Sequence, residues 1–567
     1  MELNGAQILV RTLMEEGVDT IFGYPGGSVL DIYDQLFQSP IRHILARHEQ
    51  GVTHAADGYA RASGKTGVCI VTSGPGATNT ITGITTAFMD SIPMVILTGQ
   101  VPTQFIGTDA FQEADIIGIT RPCTKHNFLV RRVDELARTI REAFYIASSG
   151  RPGPVLVDLP KDVMQARMEY QDVPAKRQAR KEPVFLPDTA DLEQTVAMLK
   201  EAKNPVILVG GGVLRGRASE ELREFVRKVK MPVASTLMGL GSFPADDPLW
   251  LGMVGMHGMY YANMAVSNCD LLVTLGVRFS DRVTGKLSTF APRAKIIQVD
   301  VDATSINKNV LVHLPIVSDC KSALVQLNTM LGNNGLEDLR ESRRHWLDQI
   351  ETWRGEGALT YTRGELIKPQ MVIETLNRLT GGNAIIATEV GQNQMWTAQF
   401  YRFNEPNTFL TSGGLGTMGY GFPAAIGAQV AFPDRLVVDI AGDGSIQMNI
   451  QELATAVKHN LPVKIVILNN GYLGMVRQWQ ELFYEKRYSH TNISGQVPDF
   501  VKLAEAYGAL GLRTADPDEV ESVLKKGIEA SGPVIMDFLV EPEEKVYPMV
   551  NPGAALTEMQ LGRETGL

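Results

Sequence analysis

Cysteine is scarce. The 567 residues hold four, at positions 69, 123, 269 and 320, far apart and with no Cys-x-x-Cys pair, which excludes a disulfide framework and suits a reducing compartment. Long apolar runs are missing too. The longest, such as Pro205 to Gly212 and Val463 to Leu468, are strand-sized, far short of the roughly 20 residues that cross a bilayer. The start, Met1 to Gln7, lacks a basic patch followed by an apolar stretch, so a secretory signal is not expected. There is no excess of positive charge: 53 basic against 63 acidic residues give −10, which argues against nucleic acid or an anionic membrane as main partner. Short repeats and low-complexity tracts are absent as well. With 44% hydrophobic residues the chain is not disordered, and its length is enough for several large cores. The expectation is a soluble, cytoplasmic enzyme or binding protein.

What is present is an alternation of short β-branched runs with amphipathic stretches, the pattern of parallel sheets covered by helices. In the first third, Asp19 to Gly23, Ile44 to Arg47, Val68 to Thr72, Met94 to Leu97 and Val155 to Val157 read as strands, with a helical pattern over Thr53 to Ala62. A polar, Pro-punctuated stretch with the basic run Lys176 to Lys181 reads as a solvated linker. A second block carries strands at Pro205 to Val209, Leu271 to Leu275 and Ile296 to Asp300; a third carries Leu436 to Ile440, Lys464 to Leu468 and Val534 to Leu539. The expected fold class is therefore α/β, with three doubly wound parallel-sheet domains at 1–170, 189–335 and 369–540. A linker (171–188), a helical connector (336–368) and a C-terminal tail (541–567) account for the remainder.

The most informative strand is Leu436 to Ile440, which runs into Gly442-Asp443-Gly444-Ser445 and then into a helical pattern from Ile446 to His459. Glycines there let backbone approach a ligand, and amides opening a helix make a phosphate site. The next strand ends in Asn469-Asn470, so Asp443 and Asn470 emerge at the carboxyl ends of two strands joined by one crossover, where open α/β sheets bind ligands. One carboxylate and one amide oxygen form an incomplete shell that suits Mg²⁺ clamped on a diphosphate. Each half alone could be an ordinary strand end. Together they resemble the diphosphate-binding motif of thiamine-diphosphate enzymes, which implies a metal on Asp443, Asn470 and the carbonyl of Tyr472.

Thiamine-diphosphate chemistry needs one glutamate, hydrogen-bonded to the cofactor's pyrimidine ring so that its amine can take the C2 proton. Glu49, just beyond a strand and before a helix, stands where the superfamily has it; in isolation it would read as a helix-terminal acid favoured by the macrodipole. His48-Glu49 does not open a zincin HExxH helix, because position 52 is Val.

Six segments then follow in order: Phe22-Gly23-Tyr24-Pro25-Gly26-Gly27, Arg47-His48-Glu49-Gln50, Thr72 to Asn79, Phe111-Gln112-Glu113-Ala114-Asp115, Gly414-Leu415-Gly416-Thr417-Met418-Gly419 and Met475 to Gln480. Jointly they resemble the catalytic subunits of the acetohydroxyacid synthase family, also called acetolactate synthases, over about residues 3 to 550. The resemblance implies that Glu49 activates the cofactor and that Gly26 and Gln112 line the developing oxyanion. It further implies that Phe111, Met475, Met256 and Val476 shape the pocket and that Met418 wedges the cofactor into a bent form. Tyr24, Pro25, Val390, Gly391, Gln392, Gly416, Gly442, Asp443, Gly444 and Ser445 complete the thiamine-diphosphate contacts it implies. Trp479 would favour 2-oxobutanoate over pyruvate as second substrate; one methylene is worth only about 1–3 kcal/mol of such discrimination.

In the middle block Gly210-Gly211-Gly212 follows a strand but fails the GxGxxG test, since Arg215 takes the last glycine's place. The resemblance raises the case for a structural FAD on Arg151, Gly211, Gly212, Thr236, Leu237, Met238, Met256, His257, Gly276, Arg278, Asp300 and Asp319. Arg282 matches the arginine that holds the second substrate's carboxylate, a bidentate task for guanidinium. Ser280 replaces the family's usual Asp, and Lys161 matches a lysine near the active-site entrance.

The implied reaction decarboxylates pyruvate to a cofactor-bound hydroxyethyl carbanion. Its addition to pyruvate or 2-oxobutanoate gives 2-acetolactate or 2-aceto-2-hydroxybutanoate, on the way to valine, leucine and isoleucine. The implied partners are a second copy of the chain, as homodimer or dimer of dimers, and a small regulatory subunit. Another thiamine enzyme, such as glyoxylate carboligase, pyruvate oxidase or benzoylformate decarboxylase, is the same-class alternative. Glu49 counts against the first, and Trp479 and Arg282 against the others. A non-catalytic nucleotide-binding regulator is the different-class alternative.

Overall fold

A computed structural model describes residues 1–170, 185–332, 341–357 and 359–562. Three six-stranded sheets form its framework, every strand pairing in them parallel. In the N-terminal sheet the strands lie side by side as Arg42–Leu45, Thr20–Tyr24, Gly67–Val71, Met94–Gln100, Pro154–Pro160 and His126–Leu129. The C-terminal sheet repeats that arrangement with Phe409–Leu410, Ile385–Thr388, Val437–Gly442, Lys464–Asn469, Val534–Leu539 and Leu510–Thr514. The central sheet runs Trp250–Met253, Val233–Ser235, Pro205–Val209, Leu271–Leu275, Lys295–Asp300 and Leu314–Val317. Numbered along the chain, that is the 3-2-1-4-5-6 order of dinucleotide-binding folds. Central strands such as Gly67–Val71 and Pro205–Val209 are buried at every residue, which is why they read as unbroken apolar runs.

The N-terminal and C-terminal domains share one core. A continuous buried cluster runs from Phe22, Ile96 and Leu156 through Phe422 and Ile426 to Ile385 and Ile465. At its centre helix Glu49–Ser63 packs against helix Gly421–Ala431. A Cβ on Gly58 would stand 2.2 Å from the carbonyl oxygen of Ala424, and one on Gly427 1.8 Å from that of Ala55. The two backbones touch, and only glycine permits it.

Helix Arg344–Glu356, within the expected connector, docks on the central domain through Trp346, whose Nε1 donates to the Pro205 carbonyl at 3.2 Å. The tail forms a strap. Val546 exchanges hydrogen bonds with Gln478, and Val550 N donates to Met256 O at 2.8 Å before Met549–Val550 pairs antiparallel with Met559–Gln560. Most of the expected linker, with Lys176 to Lys181, lies outside the described residues. No helix among those described is long and apolar enough to cross a membrane.

One expectation fails. The helical pattern from Ile446 to His459 is broken into two 3₁₀ turns, Ile446–Met448 and Ile450–Glu452, before a short α-helix, Leu453–Lys458. The apolar spacing is helical, but Asn449 adopts a non-helical φ of −135° while its amide donates to Gly419 O at 2.6 Å. A tertiary hydrogen bond overrides the local preference.

Candidate active site

In the N-terminal sheet strand order reverses between Thr20–Tyr24 and Gly67–Val71, and the loops leaving these strands meet there. Ser28 Oγ lies 3.0 Å from Thr72 Oγ1 and accepts from Ser73 N at 3.0 Å. A Cβ on Gly26 would stand 2.5 Å from Thr72, so the turn tolerates no side chain. Gln112, held in the left-handed region at φ +60°, backs against Gly74, where a Cβ would fall 2.8 Å from the Gln112 carbonyl. Such strain in a bulky residue persists only where surrounding structure enforces it. Here Gln100 Nε2 donates to Ala114 O at 3.0 Å and to buried Asp158 at 3.0 Å, fixing the loop from below. Burial pushes the Asp158 carboxyl up to about 7. Lys161 Nζ donates to Gly27 O at 3.2 Å, and Glu49 opens helix Glu49–Ser63, its Oε2 accepting from Asn79 Nδ2 at 3.0 Å. Phe111 is 89% exposed, Tyr24 and Pro25 are exposed, and Gly26 is half-buried.

The equivalent reversal in the C-terminal sheet lies between Ile385–Thr388 and Val437–Gly442. Val390 and Gly391 follow the first strand, Asp443 the second, and Asn470 the adjoining Lys464–Asn469. Asp443 Oδ2 accepts from Gly471 N at 3.1 Å, Asn470 Oδ1 from Tyr472 N at 3.0 Å, and Asn470 Nδ2 donates to Gln392 Oε1 at 3.2 Å. Ser445 Oγ bonds the Gly442 backbone at 3.2 Å, locking the turn that includes Gly444. Burial pushes Asp443 up to about 7, a penalty that a bound cation would offset. The donors, a carboxylate, an amide oxygen and the Tyr472 carbonyl, are hard oxygens that fit Mg²⁺ with positions left for phosphate and water. Among the described residues no group of three or more His, Cys, Asp or Glu could hold a metal alone.

The third reversal, between Pro205–Val209 and Leu271–Leu275 in the central sheet, brings Gly212 against Gly276: a Cβ on either would stand about 2.5 Å or less from the other's Cα. That contact gives the close helix-to-strand approach that the third glycine of a GxGxxG gives. A cleft of about 2000 Å³ opens there, and all twelve residues of the FAD set line it, from Arg151, Gly211, Gly212, Thr236, Leu237 and Met238 to Met256, His257, Gly276, Arg278, Asp300 and Asp319. Arg151 is braced by Ser91 at 2.8 Å and Asp302 at 3.1 Å; burial and the neighbouring Arg151 charge lower Arg278. Burial raises Asp300 to about 6 and lowers His257 to about 4, leaving a neutral imidazole whose Nδ1 lies 3.3 Å from Pro548 O. Two guanidinium groups, a glycine cradle and carboxylates for hydroxyls fit a dinucleotide.

The same cleft takes in Val390, Gly391, Gly416, Met475, Val476, Trp479 and Arg282. It does not take in Gly26, Glu49, Phe111, Gln112 or Lys161. Gln392, half-buried Met418 and the Gly442 to Ser445 turn also stand off its walls. Arg282 pairs with Asp281 at 2.6 Å and is exposed, and the Trp479 ring rests edge-on against Phe483 at 5.4 Å. The sequence reading assigned no role to Thr72, Asn79, Asp158 or Glu452. Thr72 and Asn79 belong to one of the recognised segments, whereas nothing local marks the other two.

The chain matches the thiamine pyrophosphate enzyme N-terminal TPP-binding domain over residues 3–119, the central domain over 192–327 and the C-terminal TPP-binding domain over 389–538. It is 47% identical over 567 residues to the acetolactate synthase large subunit of Haemophilus influenzae, covering 99% of both chains. It is 48% identical to the isozyme 3 large subunit of Escherichia coli over 99% of both, and 48% identical to acetolactate synthase of Mycobacterium bovis over 99% of this chain and 92% of that one. With identity of this order along its whole length and all three domains in sequence, the chain belongs to the acetolactate synthase large-subunit family of thiamine pyrophosphate enzymes.

Proposed function

We propose that the chain is an acetolactate synthase of branched-chain amino acid biosynthesis. It decarboxylates pyruvate and joins the remaining two-carbon unit to pyruvate or 2-oxobutanoate, giving 2-acetolactate or 2-aceto-2-hydroxybutanoate. The observation that carries the reading is the pairing of Asp443 and Asn470 at the ends of adjacent parallel strands. Thiamine diphosphate, when bound, supplies the carbon nucleophile and electron sink that the chemistry needs. Asp443, Asn470 and the Tyr472 carbonyl would hold Mg²⁺ for the diphosphate. Glu49 would hydrogen-bond the pyrimidine ring and set its protonation.

Gly26 and Gln112 would line the oxygen that gains charge, and Arg282 would bind the second substrate's carboxylate, a task that suits the guanidinium fork. Met418 and Met475 shape the cofactor, Phe111, Met256, Val476 and Trp479 the acceptor pocket, and Lys161 guards the entrance. FAD fills the central cleft as a structural group, because decarboxylation followed by carbon–carbon bond formation is redox-neutral. Val390, Gly391, Gly416 and Met475 line the cleft while Glu49, Gly26 and Gln112 of the same chain do not, which supports a homodimer or dimer of dimers in which each site draws on two copies. The relatives' designation as large subunits supports a small regulatory partner. Four buried, unpaired cysteines fit a cytoplasmic setting.

A competition assay with pyruvate and 2-oxobutanoate, with Mg²⁺ and FAD supplied or withheld, tests the reading. Acetolactate formation dependent on both 2-oxo acid supply and Mg²⁺ is expected; a protein that binds thiamine diphosphate yet forms neither product overturns it. Purified protein should show flavin absorbance and release FAD on denaturation, and a colourless, fully active preparation would remove FAD from the account.

A further inference from the structure

Glu452 is 1% exposed and belongs to the C-terminal domain, yet its carboxylate bonds the N-terminal one. Arg47 N–H donates to Oε1 at 2.9 Å and to Oε2 at 3.1 Å, and His48 N–H donates to Oε1 at 3.1 Å. Thr455 Oγ1 donates to Oε2 at 2.6 Å. A Cβ on Gly51 would stand 2.4 Å from Glu452 Oε1, so the carboxylate lies against the first turn of helix Glu49–Ser63. Helix N-termini expose unpaired N–H groups, and an anion there is stabilised by them and by the macrodipole. His48 caps Gln50 N with its own ring at 3.1 Å, so the two amides just before Glu49 are left to Glu452.

Glu452 is in turn tied to the metal-binding turn. From Asp443 the chain advances through short turns closed by Gln447 Nε2 to Asp443 O at 2.8 Å, Met448 N to Ser445 O at 3.1 Å and Glu452 N to Asn449 O at 3.1 Å. The arrangement has a counterpart in the opposite direction. Asp90 of the N-terminal domain, paired with Arg61 at 2.9 Å, accepts from Gly413 N at 3.1 Å and Gly414 N at 2.8 Å, the amides that lead into Gly416 and Met418.

We infer that Glu452 is a positioning residue for Glu49, fixing the backbone from which the activating carboxylate projects and linking it to the metal turn that starts at Asp443. The inference rests on the role given to Glu49 above. Charge-assisted hydrogen bonds to two adjacent amides define the direction of the Cα–Cβ bond that follows them, and a misplacement of a catalytic group by about 1 Å costs on the order of 100-fold.

The test compares wild type, Glu452→Ala, Glu452→Gln and Glu49→Gln in the intact oligomer. In cofactor-free enzyme, amide hydrogen exchange at residues 47 and 48 should rise in Glu452→Ala; unchanged protection would overturn the contact. With thiamine diphosphate and Mg²⁺ bound, deuterium exchange at the cofactor's C2 should slow by at least roughly ten-fold in Glu452→Ala, with cofactor affinity changed far less. Glu452→Gln, which keeps one acceptor oxygen, should recover part of the rate. Wild-type C2 exchange in Glu452→Ala while Glu49→Gln is slow overturns the inference alone. Wild-type exchange in Glu49→Gln overturns the role of Glu49. Should Glu452→Ala fail to assemble, Glu452→Gln alone must slow exchange at unchanged cofactor affinity, or the inference falls.

Discussion

The N-terminal and C-terminal domains have the same strand order and the same topological reversal, and they differ in what each puts there. The C-terminal reversal carries oxygen donors on strand ends, Asp443 and Asn470, whose positions are set by adjacent parallel strands. The N-terminal reversal carries a side-chain-free turn at Gly26, a strained Gln112 and an acid on a helix start, Glu49. In the proposed reaction one framework would serve two tasks: strand ends suit a fixed ion, while a helix start and a loop suit a group that must be aimed.

The sharpest break of that comparison is Glu49→Gln. It should lower acetolactate formation about 10²–10⁴-fold while thiamine diphosphate still binds, measured by turnover alongside cofactor titration; equal loss of both would erase the division of labour. Asp443→Asn should do the reverse. Metal affinity should fall by at least the roughly 10–100-fold that loss of an outer-shell partner costs, and excess Mg²⁺ should restore much of the activity, whereas it should do nothing for Glu49→Gln. Treating the wild type with a chelator should mimic Asp443→Asn. A third test addresses the contact between the two domains: Gly427→Ala, with no room for a Cβ beside the Ala55 carbonyl, should cost about 1–3 kcal/mol or more in denaturant unfolding, with the cofactor sites otherwise intact. The smallest effect is Trp479→Leu, which should shift the 2-oxobutanoate to pyruvate product ratio by about ten-fold and leave total turnover near wild type; an unaltered ratio would remove Trp479 from the specificity pocket.

Much of this was legible in the sequence, for identifiable reasons. Pro205–Val209, Leu271–Leu275 and Val534–Leu539 are buried on both faces, and unbroken β-branched runs announce such strands. The edge strands His126–Leu129 and Leu510–Thr514 are partly exposed and mixed in polarity, so no period marks them. Asp443 and Asn470 were legible because their relation is local to two strand ends. Glu452, Asp90 and Asp158 were not. Each acts on amides or side chains far along the chain, and a buried acid with distant partners leaves no spacing to read.

The crossing of helices Glu49–Ser63 and Gly421–Ala431 bears on motion as well as packing. Side chains between helices act as bearings, because they change rotamer while the axes slide; here glycines remove them and main chain rests on main chain. The first and last domains are therefore locked to each other at their centre, whereas the central domain is tied to them at Met256 and Gln478 by the tail strap.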